Sequence, residues 1–304
     1  MRPSRAALLL APALALWAAC AQSSWAAAPA ARERAEPFLE QVDVSLVLVP
    51  VVVRDEKGRP VTDLEESDFS VLDEGARVSL SAFGREARPV SVVLALDTSW
   101  SMNPHEQAVK MTALEFVRGQ RDGTSFALVT FNDGVYLDHD FSADRPATER
   151  AIGAVRGGGD NTALLDALQA AAAHLASREG ARVAVIFTDG TDTVHPQDQA
   201  EARLSAGVES ALRKDVTIFT VAFGSRAAKG LLRRIAEETG GEAFVASTAD
   251  ELTAAFAHVA EAVGNRYLLG FKPESGARPG FRKLEVRVAR PGLRIAARSR
   301  YMAR

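Results

Sequence analysis

Val92-Val93-Leu94-Ala95-Leu96-Asp97-Thr98-Ser99-Trp100-Ser101-Met102 is a run of five apolar residues ending abruptly in a carboxylate, followed by two serine hydroxyls two positions apart. A short continuous apolar run bounded by polar turn residues predicts a strand buried on both faces, the kind found inside a parallel sheet. The carboxylate and hydroxyls then fall in the loop at the strand's carboxyl end, the edge of an open α/β sheet where ligands bind. Donors that are all oxygen suit a hard cation such as Mg²⁺ or Mn²⁺ rather than zinc.

Two later stretches match this one. Val183-Ala184-Val185-Ile186-Phe187-Thr188-Asp189-Gly190 is a second apolar run ending in a carboxylate. Gly157-Gly158-Gly159-Asp160-Asn161-Thr162 is a glycine-rich loop that delivers a hydroxyl at the start of the predicted helix 163–175. Around these, over residues 89–264, strands alternate with helices. Val109, Ala113, Phe116 and Val117 share one helical face, as do Leu164, Leu168 and Leu175, then Leu231, Leu232 and Ile235, then Leu252, Phe256, Val259 and Val263. Further strands are predicted at 126–131, 135–139, 216–221 and 243–245. Asn132-Asp133-Gly134 reads as a hairpin turn, which makes 135–139 an antiparallel edge. Alternating β and α predicts a doubly wound, mostly parallel sheet.

The flanks are all β. Residues 41–88 hold a valine-rich strand over 42–53, interrupted by Pro50, whose place predicts a bulge or an edge. Strands at 69–73 and 78–83 follow, around a turn at Asp73-Glu74-Gly75. Residues 265–304 add strands at 267–271, 284–288 and 293–298. Neither set buries a core alone, so the two segments are expected to pair as one small β-sandwich into which the α/β domain is inserted. Two separate β flaps are the alternative.

The amino terminus bears on compartment. Met1 to Arg5 is basic and residues 6–19 form an Ala/Leu-rich run, the layout of a secretory signal peptide over 1–21 and too short for a comfortable membrane span. Cleavage after Ala19-Cys20-Ala21 gives a periplasmic or secreted protein. The other reading takes Ala18-Ala19-Cys20 as a lipoprotein box, with Cys20 lipidated as a membrane anchor. Residues 22–40, rich in Ala, Ser, Pro and charge, read as a disordered spacer. Cys20 is the single cysteine, which excludes an intrachain disulfide and a multi-thiolate metal site. A net charge of −3 supplies no footprint for nucleic acid.

At the residues quoted above the chain resembles the von Willebrand factor type A domain with a complete metal-ion-dependent adhesion site (MIDAS), and its β-flanked, exported layout is similar to a bacterial secreted group carrying that domain. The resemblance implies a Rossmann-like sheet and a D-x-S-x-S loop of Asp97, Ser99 and Ser101, joined by Thr162 from the glycine-rich loop and Asp189 at the end of the later strand. It implies a bound Mg²⁺, with Mn²⁺ or Ca²⁺ as alternatives, whose coordination a partner protein's Asp or Glu completes. Trp100 stands where many family members have glycine. Trp100, Met102, Asp160 and Asp192 are expected on the rim of this site; the plainer reading of Trp100 or Met102 is packing on the next helix, and Asp160, Asp166 and Asp192 read as solvated loop or helix residues rather than ligands, which would make the rim acidic.

Catalytic signatures are missing. His105, His139, His174, His195 and His258 never form H-E-x-x-H, no G-x-S-x-G occurs, and no G-K-[ST] follows Gly159. The expectation is a non-enzymatic adhesion module, with a metal-stiffened assembly scaffold or a metal-dependent hydrolase as the alternatives.

Overall fold

A computed structural model describes residues 46–224, 229–274 and 278–303. The signal segment, the spacer and Cys20 lie outside the described residues. Among the described residues no helix is long and apolar enough to cross a membrane. In chain order the strands are β1 (Val47–Arg54), β2 (Phe69–Asp73), β3 (Ala76–Val78), β4 (Leu80–Arg85), β5 (Val90–Asp97), β6 (Ser125–Phe131) and β7 (Val135–Ser142). They continue with β8 (Ala181–Thr188), β9 (Val216–Phe223), β10 (Ala243–Ala246), β11 (Tyr267–Phe271), β12 (Gly280–Val288), β13 (Arg294–Ala296) and β14 (Arg300–Ala303). The helices are α1 (Glu106–Gly119), α2 (Arg145–Ala154), α3 (Leu164–Leu175), α4 (Gln197–Arg213), α5 (Lys229–Thr239) and α6 (Ala249–Gly264).

The apolar run that opened the sequence is β5, and all eight of its positions are buried. It sits inside a six-stranded sheet of order β10-β9-β8-β5-β6-β7, parallel except for the antiparallel edge strand β7. Burial on both faces follows from the alternation of side chains. Val92, Leu94 and Leu96 point into a core closed by Val109, Ala113, Phe116 and Phe256 of α1 and α6. Val93 and Ala95 point into the opposite core, closed by Leu164, Leu168, Val208 and Ile235 of α3, α4 and α5. Each fully buried Val or Leu contributes roughly 1.5–3 kcal/mol, so an apolar run of this length is stable only between two helical layers. Helices α2 and α4 were not read from the sequence. The apolar positions of α4 (Leu204, Val208, Ala211, Leu212) are spaced for a helix, but charge around the rest of its circumference dilutes the signal.

From β5 the chain moves outward to β6 and β7, then returns through α3 to β8 on the other side of β5. The strand order therefore reverses between β5 and β8, and a crevice opens at their carboxyl ends. Asp97 ends one of these strands and Asp189 follows the other.

The terminal segments pair with each other. One four-stranded sheet has the order β13-β1-β11-β4 and a second has β14-β12-β2-β3, so each draws strands from both flanks. Both contribute to one core that includes Val49, Val51, Phe69, Val71, Leu269, Phe271, Leu284 and Tyr301. The single strand expected over 78–83 is in fact broken at Ser79: β3 lies in one sheet and β4 in the other, because the chain turns the corner between sheets there. The expected turn is present, with Glu74 and Gly75 at φ +49° and +83°, the mirror-image hairpin geometry. Pro50 marks no bulge but a local edge, within a strand that is internal to the sheet further along. It pairs with Leu268 of β11, and β13 meets β1 only at residues 52–54. At Pro50 the strand has a partner on one side only, so the missing N–H costs no ladder bond.

Two buried polar ties bind the flanks. Asp73 of β2 receives Arg282 Nε of β12 at 2.9 Å and the Tyr301 hydroxyl of β14 at 3.1 Å. Burial and the neighbouring carboxylate push the Tyr301 phenol up to about 12. Arg54 at the end of β1 donates to Glu242 at 2.9 Å and to the His258 carbonyl at 2.7 Å, joining the sandwich to the α/β domain.

Candidate metal centre

The crevice between β5 and β8 gathers side chains from three distant stretches. Asp97 is 3% exposed. One of its oxygens accepts from the Ser99 N–H at 2.9 Å and the other from the Thr188 hydroxyl at 2.5 Å. The Ser99 and Ser101 hydroxyls are 3.2 Å apart, and Ser101 donates to Asp189 at 2.9 Å. Thr162 is buried, and its hydroxyl lies 3.6 Å from where a Cβ on Gly190 would be, beside Asp189. Asp97, Ser99, Ser101 and Asp189 are thus brought together, and Thr162 lies next to Gly190, the residue after Asp189.

The loops are held there by backbone bonds that the sequence did not announce. Thr98 N–H donates to the Phe131 carbonyl, and the Thr98 carbonyl accepts from Gly158 N–H at 2.7 Å. Trp100 N–H donates to the Gly159 carbonyl, and Ala163 N–H to that of Asn132. Asp133 accepts from both the main-chain and the side-chain nitrogens of Asn161. The Asn132-Asp133 turn therefore does more than close the β6–β7 hairpin, because it also staples the glycine-rich loop in place. Gly159 adopts φ +100°, and a Cβ there would lie 2.8 Å from Asn132. A side chain at Gly157 would meet the Asn103 amide oxygen at 1.8 Å. Glycine at both positions is a condition of the close approach.

Charge at this place is unbalanced. Burial pushes the Asp97 carboxyl above the ordinary carboxylate range; hydrogen bonds from Thr188 and Ser99 oppose that, and the like charge of Asp189 adds to it. No basic side chain is among these influences. Among the described residues no three His, Cys, Asp or Glu side chains form a cluster able to hold a metal. The donors here are two carboxylates and three hydroxyls. Such all-oxygen sets fit a hard divalent cation, which would supply the positive charge that the buried Asp97 lacks. Two carboxylates balance a divalent ion, and neutral hydroxyls fill further positions without adding negative charge.

The rim differs from expectation in two places. Trp100 is 59% exposed beside the serines, and Asp160 is exposed. Met102, expected on the rim, is 3% exposed, because residues 100–105 turn as a 3₁₀ helix that rolls its side chain into the core under α1. Asp192, expected on the rim as a solvated residue, has a side chain only 4% exposed. It accepts from Leu165 N–H at 2.9 Å and is committed to the start of α3. Val194, which the sequence reading passed over, is exposed on the same loop.

The sequence profile of the von Willebrand factor type A domain matches residues 91–258, more than half of the chain. The chain belongs to this family. A comparison with curated proteins returned no match. Among solved structures, the chain resembles a von Willebrand factor type A protein from Catenulispora acidiphila at 15% identity, over 86% of this chain and 75% of that one, with TM-score 0.53. Proximal thread matrix protein 1 from the mussel byssus, with a zinc-occupied MIDAS motif, is similar at 22% identity over 63% of this chain and 49% of that one, TM-score 0.51. The PilB minor pilin from Streptococcus sanguinis is similar at 14% identity over 60% of this chain and 62% of that one, TM-score 0.50. The chain thus spans about half to three-fifths of the last two structures. At these identities the likeness establishes the fold.

Proposed function

We propose that this type A domain protein is an exported, non-enzymatic binding module, which grips a protein partner through a divalent cation held by Asp97, Ser99, Ser101, Thr162 and Asp189. Mg²⁺ is the proposed ion, and an Asp or Glu of the partner completes its coordination. The observation that carries this reading is the hydrogen-bonded set of Asp97, Ser99, Ser101 and Asp189 at the sheet's switch point, around a buried carboxylate with no basic partner, with Thr162 beside Gly190. Family membership supports a protein-binding role. The basic start and apolar run of residues 1–21 support export, with lipidation of Cys20 as the alternative mode of retention.

When bound, the cation would act as an electrostatic acceptor for a carboxylate. The chain's own residues do the rest. Asp97 and Asp189 offset the ion's charge without swamping it, since the remaining donors are neutral. Ser99, Ser101 and Thr162 fix the directions of the bonds, which matters because Mg²⁺ demands near-octahedral geometry at about 2.0–2.1 Å. The Trp100 indole beside Ser101 offers apolar contact area next to the charged centre, the combination found at the core of strong protein interfaces.

Capture of envelope proteins on the immobilised full chain, in Mg²⁺ and in EDTA, tests this function. The expected result is partner capture in Mg²⁺ that is lost in EDTA and lost in Thr162→Ala. Capture that ignores EDTA would instead make the protein a scaffold, and turnover of an ester or phosphate panel would make it a hydrolase.

A further inference from the structure

We infer that Asp192, Thr193 and His195 form a clasp that holds Thr162 and Asp189 at the spacing a shared cation requires, with Asp192 and Thr193 as its positioning residues. This rests on the metal-site reading above and assigns a role to residues that do not themselves reach the ion.

Thr162 and Asp189 come from different segments, with α3 and β8 between them, so no short stretch of chain fixes their separation. The contacts that tie the two segments directly to each other come from the loop after β8. Thr193 Oγ1 accepts from the Thr162 N–H at 2.8 Å, and the Thr193 N–H donates to the Thr162 carbonyl at 3.0 Å. One residue therefore holds both main-chain polar groups of Thr162. Asp192 supplies the anchor. One of its oxygens accepts from Leu165 N–H at 2.9 Å, in the first turn of α3, whose N-cap residue Ala163 has no side chain able to cap it. Its other oxygen accepts from the His195 N–H at 3.0 Å and lies 2.9 Å from the His195 Nδ1. On the far side of the ring, Nε2 lies 3.3 Å from Asp166, also in the first turn of α3. The His195 and Asp192 side chains are 8% and 4% exposed.

The sequence Asp189-Gly190-Thr191-Asp192-Thr193-Val194-His195 thus leaves β8 with one candidate ligand. Within six residues it ties itself to the segment that carries another. Groups that orient metal ligands without touching the metal typically cost 10–100-fold in metal affinity when removed. The exposed Thr193 and the buried Asp192–His195 pair act at opposite ends of the same clasp, which allows one to be altered without opening the core.

The test is Mg²⁺ titration calorimetry on the full chain, with melting in EDTA as the measure of fold. Thr193→Val keeps the shape and removes the acceptor, and it is expected to weaken Mg²⁺ binding by about tenfold or more while melting like wild type in EDTA. Thr193→Ser is expected to restore the affinity. Asp192→Ala is expected to weaken binding at least as much, with Asp192→Asn, which keeps an acceptor for Leu165 but turns a donor toward the His195 N–H, recovering part of it. Should Asp192→Ala fail to fold, the Thr193 pair decides. Wild-type affinity in Thr193→Val, with Asp97→Ala unable to bind, would overturn the clasp and leave the metal site standing. No Mg²⁺ heat from wild type would overturn both.

Discussion

Asp97→Ala and Asp97→Asn are both expected to abolish the response of the full chain to Mg²⁺, and only the alanine variant is expected to weaken the fold. Asp97 is buried at the end of β5, with one oxygen bonded to Ser99 and the other to Thr188. Alanine removes the ligand and leaves the proton of the buried Thr188 hydroxyl without its acceptor, a loss worth about 1–3 kcal/mol, although the oxygen still accepts from the Gly190 N–H. Asparagine removes the charge and turns one accepting oxygen into a donor: with its oxygen toward the Ser99 N–H, its nitrogen faces Thr188, whose hydroxyl can turn to accept. In EDTA that charge is a liability, since burial and the facing Asp189 both disfavour it, so Asp97→Asn is expected to melt at or above wild type there. In Mg²⁺ the order reverses. At a hundredfold excess over Kd the ion stabilises wild type by about 2.7 kcal/mol, several degrees in Tm, and neither variant shifts. A full Mg²⁺-induced shift in Asp97→Asn would remove Asp97 from the site.

The second large effect lies far from the crevice. Asp73→Ala is expected to cost about 2–3 kcal/mol in urea unfolding, because it leaves a partly buried Arg282 without its charged partner. Arg282 and Asp73 have side chains 20% and 2% exposed, and the Tyr301 hydroxyl loses its acceptor in the same substitution. The Arg282 guanidinium is held more firmly protonated by Asp73, the sign expected of an interaction that favours the charged form. Asp63→Ala is the control. Its Arg290 pair joins the same two chain segments but is exposed, with Asp63 at 72%, so the cost is expected to be under about 1 kcal/mol. Similar small costs for both would mean that the strands of the two flanks hold together without the buried tie.

What could be read from the sequence divides along physical lines. β5 and β8 were legible because a strand buried on both faces has no polar position to spare, and the first carboxylate marks its end. The helices α1, α3, α5 and α6 showed their apolar stripes, whereas α2 and α4 are mostly polar and carry weaker ones. The pairing of the flanks followed from the inability of either set to bury a core. The break at Ser79 did not, because a strand that changes sheets keeps its β composition. In the crevice, residue types singled out the five oxygen-bearing side chains proposed as ligands. Met102 and Asp192 were misplaced for a shared reason: their surroundings depend on how a loop folds back. A 3₁₀ turn carries Met102 inward, and Asp192 finds the start of α3 across a gap in sequence that no local pattern encodes. Thr188 and Asn132-Asp133 were read only as strand end and turn, yet they bind Asp97 and the glycine-rich loop.

Anomalous diffraction from crystals of the full chain grown with Mn²⁺ is the most direct test of the central claim. One Mn²⁺ peak bounded by Asp97, Ser99, Ser101, Thr162 and Asp189 is the predicted result. A crevice without a peak in saturating Mn²⁺, or an ion seated elsewhere while these five side chains keep only one another for company, would contradict it.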